Sequence, residues 1–302
     1  MGVIVDALRN AKQRDPLVRP LPFRAPDQSE SWRGGQAESS PSYRVLTVAS
    51  NKGGVGKTTL AANLPVFLRA LREDLPVLLI GLDDQSLIDR MFELDDGPNF
   101  GDVADGLLEG SFHGCIRMGQ FGVQYVPSNP NMEDLKASIS HTGQLRSTLD
   151  ATGWEGLVVI DTKSDLGILT RNAIAASDLV LVPVADDPSL READKVFELL
   201  DRWGMSRDRA RILLSMIDRR IKYREGEASD VLGLLLTRIR ERNYPVLQSF
   251  VSRSPKIESL STHPDGRVRS ILGAARGSIV TLQLRHAAEE LLKLLDRIPV
   301  SR

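Results

Sequence analysis

Cysteine is almost absent from this 302-residue chain: Cys115 stands alone, so no internal disulfide can form and no pair of thiolates can hold a metal. A reducing cytoplasm is the setting that follows. Aromatic residues make up only 5% of the chain, which argues against single-strand stacking beside its basic stretch. No apolar run approaches the ~20 residues needed to span a bilayer, and the first residues lack the apolar core of a signal peptide. A soluble, cytoplasmic globular protein is therefore expected, and its 41% hydrophobic content is enough for a substantial core. Net charge is also lacking, at −1, but this balance hides a segregation. From Ser206 to Arg276 there are 15 Lys and Arg against 8 Asp and Glu, which leaves the rest of the chain at −8. Within that stretch Arg219, Arg220, Lys222, Arg224, Arg253, Lys256, Arg267 and Arg269 are candidates to neutralise duplex DNA phosphates without reading bases. A solvated helical face is the alternative reading of the same charges.

What the chain does have is a glycine-rich phosphate loop, Ser-Asn-Lys-Gly-Gly-Val-Gly-Lys-Thr-Thr, over residues 50 to 59. Backbone N–H groups can converge on a phosphate only where no Cβ intervenes, and Gly53, Gly54 and Gly56 permit that approach. Lys57 supplies a point charge for the β- and γ-phosphates. Thr58 opens the following helix and can ligate Mg²⁺, while the helix N-terminus faces the anion. Val55 and Thr59 complete the stretch expected to contact nucleotide. Lys52 is one lysine more than phosphate binding requires.

The surroundings fit such a loop. Residues 44 to 49 form a buried-strand pattern and 59 to 71 a helical one, giving strand, loop and helix in the required order. Further apolar runs at 76–82, 122–127, 156–160, 179–184, 211–217 and 246–251 alternate with helical patterns. They predict an α/β fold: a P-loop NTPase with a doubly wound, mainly parallel sheet flanked by helices, over 44–302. The run 286–297 predicts a closing helix packed on the sheet, and Pro65 predicts a kink in the phosphate-loop helix. Ahead of this domain, 1–15 read as an amphipathic helix that can dock on a partner. Residues 16–43, with five prolines, read as a tether. Two carboxylates follow strands where a nucleotide site needs them. Asp161 is a candidate to hold Mg²⁺, and Asp83 to orient the attacking water; with Thr58 they make the expected metal set. Asp is also common as a helix cap or turn residue, which is the alternative for each.

Taken in order, KGGVGKTT, VLLIGLDDQ, VPSNPNMEDL, VVIDTKSDLGILTRNAIAASD and SMIDRR resemble the ParA/MinD family of deviant Walker A ATPases. The segment VPSN, with Ser128 and Asn129, resembles its ParA branch. The resemblance implies an ATP-dependent sandwich homodimer in which Lys52 reaches the nucleotide of the other subunit. Lys57 would then be the in-subunit phosphate lysine, Asp83 the hydrolytic carboxylate and Asp161 the Walker B acid. Met216 and Asp218 would lie near the adenine ring. It also implies non-specific binding of double-stranded DNA by the ATP-bound dimer on the nucleoid. A ParB-like or other cargo-bound activator would stimulate a slow hydrolysis of Mg²⁺-ATP, which positions or segregates a chromosome, a plasmid or a protein complex.

The chain departs from the family pattern in places. Gly81 replaces the first acid of Asp-x-Asp-Pro-Gln and Asp84 its proline. Asp161-Thr162-Lys163-Ser164 replaces Asp-x-Pro-Pro, which predicts a cation near the γ-phosphate region. A slow or non-hydrolysing nucleotide switch is one alternative. A MinD-like membrane regulator is another, although residues 291–302 lack a basic amphipathic tail. A capsule-type tyrosine kinase would need a tyrosine cluster that the last 58 residues do not contain. An iron–sulfur ATPase would need two bridging cysteines per subunit.

Overall fold

Strands buried on both faces are written as continuous Val, Leu and Ile runs, and these runs fix the architecture. The computed structural model describes residues 43–83, 87–93, 101–139, 141–218, 220, 230–261 and 268–298. The expected helix at 1–15 and tether at 16–43 lie outside the described residues, apart from Tyr43, which opens the first strand.

In chain order the elements are β1 (Tyr43–Val48), α1 (Lys57–Leu71), β2 (Val77–Leu82), α2 (Leu87–Phe92), α3 (Val103–Glu109), β3 (Arg117–Met118) and β4 (Gln124–Val126). Then come α4 (Met132–Ser138), α5 (Gln144–Thr152), β5 (Gly156–Thr162), α6 (Ile168–Ala176), β6 (Leu179–Val184) and α7 (Asp187–Arg202). The last are β7 (Ala210–Ile217), α8 (Val231–Glu241), β8 (Val246–Ser252), α9 (Pro255–Glu258), α10 (Ile271–Ala274) and α11 (Ile279–Arg297). The sheet runs β3-β4-β2-β5-β1-β6-β7-β8. All pairings are parallel except β3 with β4.

Alternation along the strands divides the core between the two faces. Leu79 of β2 and Val159 of β5 pack with α1 and α11, for instance through Leu64 and Leu291. Their neighbours Leu78, Ile80, Val158 and Ile160 face the other way, against Leu107 of α3, Leu145 of α5 and Ala173 of α6. Beyond β1, Val182 and Ile212 pack with Val196 and Phe197 of α7 and with Leu235 of α8. The helix α1 continues through Pro65, and α11 begins seven residues before the apolar run that predicts it. At the β8 edge, Glu290 of α11 accepts from the backbone N–H groups of Gln248 and Ser249, and Gln283 accepts from that of Ser252. The open groove of about 650 Å³ beside β8 is therefore lined by side chains already engaged in covering a sheet edge.

The register aligns three adjacent strand ends. Val48 of β1 lies opposite Asp161 of β5, and Gly81 of β2 lies opposite the same Asp161. The phosphate loop, Asp161 and Asp83 therefore emerge side by side at the carboxyl edge of the sheet, where open α/β sheets bind ligands. Gly81 is closely approached there by side chains of neighbouring elements. A Cβ on it would come within 2.5 Å of Ser128 Oγ and 3.2 Å of Ile88 Cδ1. Gly81→Asp is thus expected to lower stability by roughly 1–3 kcal/mol through overpacking and a second carboxylate beside Asp161. Urea unfolding measures this, and Ser128→Gly on that background should recover the steric part.

Candidate nucleotide site

The loop after β1 has the backbone of an anion cradle. Gly54 and Gly56 adopt φ of 76° and 85°, a region closed to most side chains, and Gly56 caps α1 in that conformation. The loop is held from behind by β7: Ser215 Oγ donates to the Val55 carbonyl at 2.7 Å, and Val55 itself is buried. Gly53 is exposed at the opening of the loop, while Thr58 and Thr59 are half-buried in the first turn of α1.

The two lysines of the loop face different ways. Lys57 is 5% exposed, and its Nζ donates to the Lys52 carbonyl at 2.9 Å and to Ser164 Oγ at 2.6 Å. Burial lowers its pKa, an effect that the carboxylates of Asp161, Asp83 and Asp165 oppose. Lys52 instead sends its ammonium to the Asp186 carboxylate at 2.7 and 2.9 Å, at the N-cap of α7. Burial works against the charge on Asp186, but hydrogen bonds from Lys52 and Ser189 outweigh it and hold the carboxyl below its ordinary range. Beside this pair, Asn51 Nδ2 donates to Glu192, also on α7.

Asp161 is 1% exposed, and neither of its oxygens has a hydrogen-bond partner of good geometry. Burial and then the charge of Asp83 push its pKa up to about 7, against the opposing pull of the Thr58 hydroxyl and Lys57. A buried, orphaned carboxylate next to a threonine hydroxyl suits a hard divalent cation that takes its remaining ligands from phosphate and water. Asp83 is half-buried just past β2, within electrostatic reach of both Asp161 and Lys57.

A cavity of about 370 Å³ opens beside the loop, lined by Gly54, Gly56, Thr59 and, from β7, Met216. Met216 has a φ of 56°, rare for a side chain of this size, and its Cγ would meet a Cβ on Gly56 at 3.5 Å. The candidate adenine residues therefore separate: Met216 is in the cavity, while Asp218 pairs with Arg220 at 2.6 Å. The candidate DNA-binding cations separate as well. Arg220, Arg253, Lys256 and Arg269 are exposed, Arg253 pairs with Glu258 at 2.9 Å, and Arg269 lines the mouth of the cavity. Arg219, Lys222, Arg224 and Arg267 lie outside the described residues. The ammonium of Lys163, the cation expected near the γ-phosphate region, pairs with Glu133 of α4 at 3.0 Å, a carboxylate 30 residues upstream that the local sequence does not reveal. Ser164, Ser215, Asp186 and Glu192 are site residues that sequence reasoning missed.

Comparison with known proteins agrees with this geometry. A family described as an AAA domain matches residues 43–201. The chromosome partitioning protein ParA of Caulobacter vibrioides is 30% identical over 207 residues, covering 64% of this chain and 77% of that protein. The antiactivator FleN of Pseudomonas aeruginosa is 28% identical over 230 residues, covering 74% of this chain and 78% of FleN. Among solved structures, the septum site-determining protein MinD of Pyrococcus horikoshii, complexed with Mg-ADP, superposes with a TM-score of 0.65 at 20% identity, covering 84% of this chain and 97% of that one. A putative plasmid partition protein of Borrelia burgdorferi bound to AMPPNP gives 0.61 at 21% identity, covering 84% of this chain and 99% of that one. The chain belongs to the AAA-domain family and, within it, to the ParA/MinD family of deviant Walker A ATPases, on the ParA-like side.

The orphaned carboxylate makes a sign-specific prediction. Because the folded-state pKa of Asp161 lies above its unfolded value, this group's contribution favours the folded state least above pH 7, where the buried carboxylate is ionised. Asp161→Asn should therefore raise Tm at pH 8, by roughly 2 °C or more for each kcal/mol relieved, with a smaller gain at pH 5. The same variant should lose Mg²⁺-dependent nucleotide binding, and differential scanning fluorimetry at both pH values with and without Mg²⁺ reads both effects.

Proposed function

We propose that this chain is an ATPase that couples ATP binding to homodimerisation, with the ATP-bound dimer holding double-stranded DNA non-specifically. A cargo-bound activator then stimulates hydrolysis, and the cargo is positioned or segregated as the dimer is released. The observation that carries this reading is the opposed pair of lysines. Lys57 is enclosed by its own loop, whereas Lys52 is paired at the protein surface with a side chain that is itself half-exposed. An exposed ion pair is worth little, about 0–1 kcal/mol, so Lys52 can exchange Asp186 for the phosphates of a second copy at small cost. In this reading Lys57 and Thr58 hold the nucleotide of the same subunit, Asp161 holds Mg²⁺ and Asp83 orients the attacking water. Mg²⁺, when bound, neutralises charge that develops on the β- and γ-phosphate oxygens.

DNA binding by the basic segment follows the same logic of exchange. The exposed pairs Arg220–Asp218 and Arg253–Glu258 give up little when their arginines turn to backbone phosphates. The nature of the cargo is left open by kinship, since the named relatives include a partitioning protein and an antiactivator.

Light scattering and duplex-DNA binding with Mg²⁺ and a slowly hydrolysed ATP analogue test the cycle. Wild type should dimerise and bind DNA with a steep salt dependence. Lys52→Ala should stay monomeric while retaining nucleotide, Asp83→Ala should accumulate as a DNA-bound dimer with ATP itself, and an Arg219/Arg220 charge reversal should dimerise but lose DNA. DNA binding by the wild type that is indifferent to ATP and to salt would reject this function.

A further inference from the structure

We propose that Ser164 is a terminal-phosphate contact that lets this protein distinguish ATP from ADP, an inference that rests on the nucleotide reading above. Ser164 stands where the family pattern has a proline, so its hydroxyl is a group that the pattern lacks. The structure puts that hydroxyl against the phosphate lysine: Ser164 Oγ accepts from Lys57 Nζ at 2.6 Å and would lie 3.9 Å from a Cβ on Gly53, at the opening of the phosphate loop. An ammonium has three N–H groups. Two of those on Lys57 are used by the Lys52 carbonyl and by Ser164, and the third remains for an anion.

Ser164 accepts in this arrangement, so its own O–H hydrogen can be donated. A phosphate presents several strong acceptor oxygens, and one can take the remaining Lys57 N–H while its neighbour takes the Ser164 O–H. The donor pair lies beside Gly53, with Asp161 and Asp83 near enough to act on Lys57, and neither Lys57 nor Ser164 lines the cavity that holds Met216. That is the place for the last phosphate of a triphosphate, with the base in the cavity. Polar contacts flank Ser164: Lys163 pairs with Glu133 of α4 at 3.0 Å, Lys136 of α4 pairs with Asp165 at 3.6 Å, and Asp165 Oδ1 accepts from the Gly167 N–H at 2.8 Å. A proline at this position has no donor to offer.

Equilibrium binding of fluorescent ATPγS and ADP with Mg²⁺ to the full chain tests the assignment. Ser164 is exposed, so Ser164→Ala should leave the fold intact. It should weaken ATPγS binding roughly ten-fold or more, the loss expected for a hydrogen bond to a charged group, while ADP binding changes by less than about three-fold. Ser164→Thr, which keeps the hydroxyl, should bind both nucleotides within about three-fold of wild type. Equal losses for the two nucleotides, no loss for either, or a Thr variant that behaves like Ala would overturn the assignment. Wild-type protein that binds neither nucleotide would instead remove the nucleotide reading itself, and the assignment with it.

Discussion

A carboxylate buried near the end of a central strand, with no hydrogen-bond partner of good geometry, sets the terms for everything around it. Desolvating a charge costs far more than any one contact returns, so Asp161 persists only because it protonates or because a cation completes it. Its neighbours are organised accordingly. Thr58 and Lys57 approach from α1, while Asp83 sits far enough out to be half-exposed. The strand position directly beside it is Gly81, the residue without a side chain. A carboxylate at 81 would place a like charge next to an anion already poorly solvated, and Ser128 occupies the space instead. The glycine at 81 therefore has a local physical reason that does not involve Asp83.

The fold was legible wherever burial on both faces forces continuous apolar runs. The strands at 179–184, 211–217 and 246–251 coincide with β6, β7 and β8 to within a residue. β3 escaped notice because two residues carry no period, and its register comes only from β4. The start of α11 escaped because Ile279 and Leu282 are exposed, so its first turn does not display an apolar face in the right phase. The Ser278 cap that fixes it, by accepting from the Thr281 N–H, becomes visible only once the helix is known.

The site divides along the same line. The phosphate loop and the two strand-end acids are local patterns, and reading them required only neighbours in sequence. The groups that hold them are distant: Ser215 reaches Val55 across 160 positions, Asp186 reaches Lys52 across 134, and Ser164 reaches Lys57 across 107. A lone serine or aspartate has no spacing signature, so nothing in the chain marks these residues until β5, β6 and β7 are laid beside β1. Lys163 belongs to the same class, since its pairing with Glu133 of α4 spans 30 positions and has no local signature.

One helix then ties the phosphate loop to the basic segment. Asp186 caps α7 and receives Lys52, and the next residue, Asp187, is an ion-pair partner of Arg238 on α8. About two turns further on, Glu192 takes Asn51 of the loop, and Asp194 takes Arg242 of α8. Two positions on α7, about two turns apart, thus hold the loop on one side and α8 on the other, and α8 belongs to the stretch where positive charge is concentrated. The loop and the basic stretch are thus joined by polar pairs at one helix, beside the apolar packing of α7 on α8.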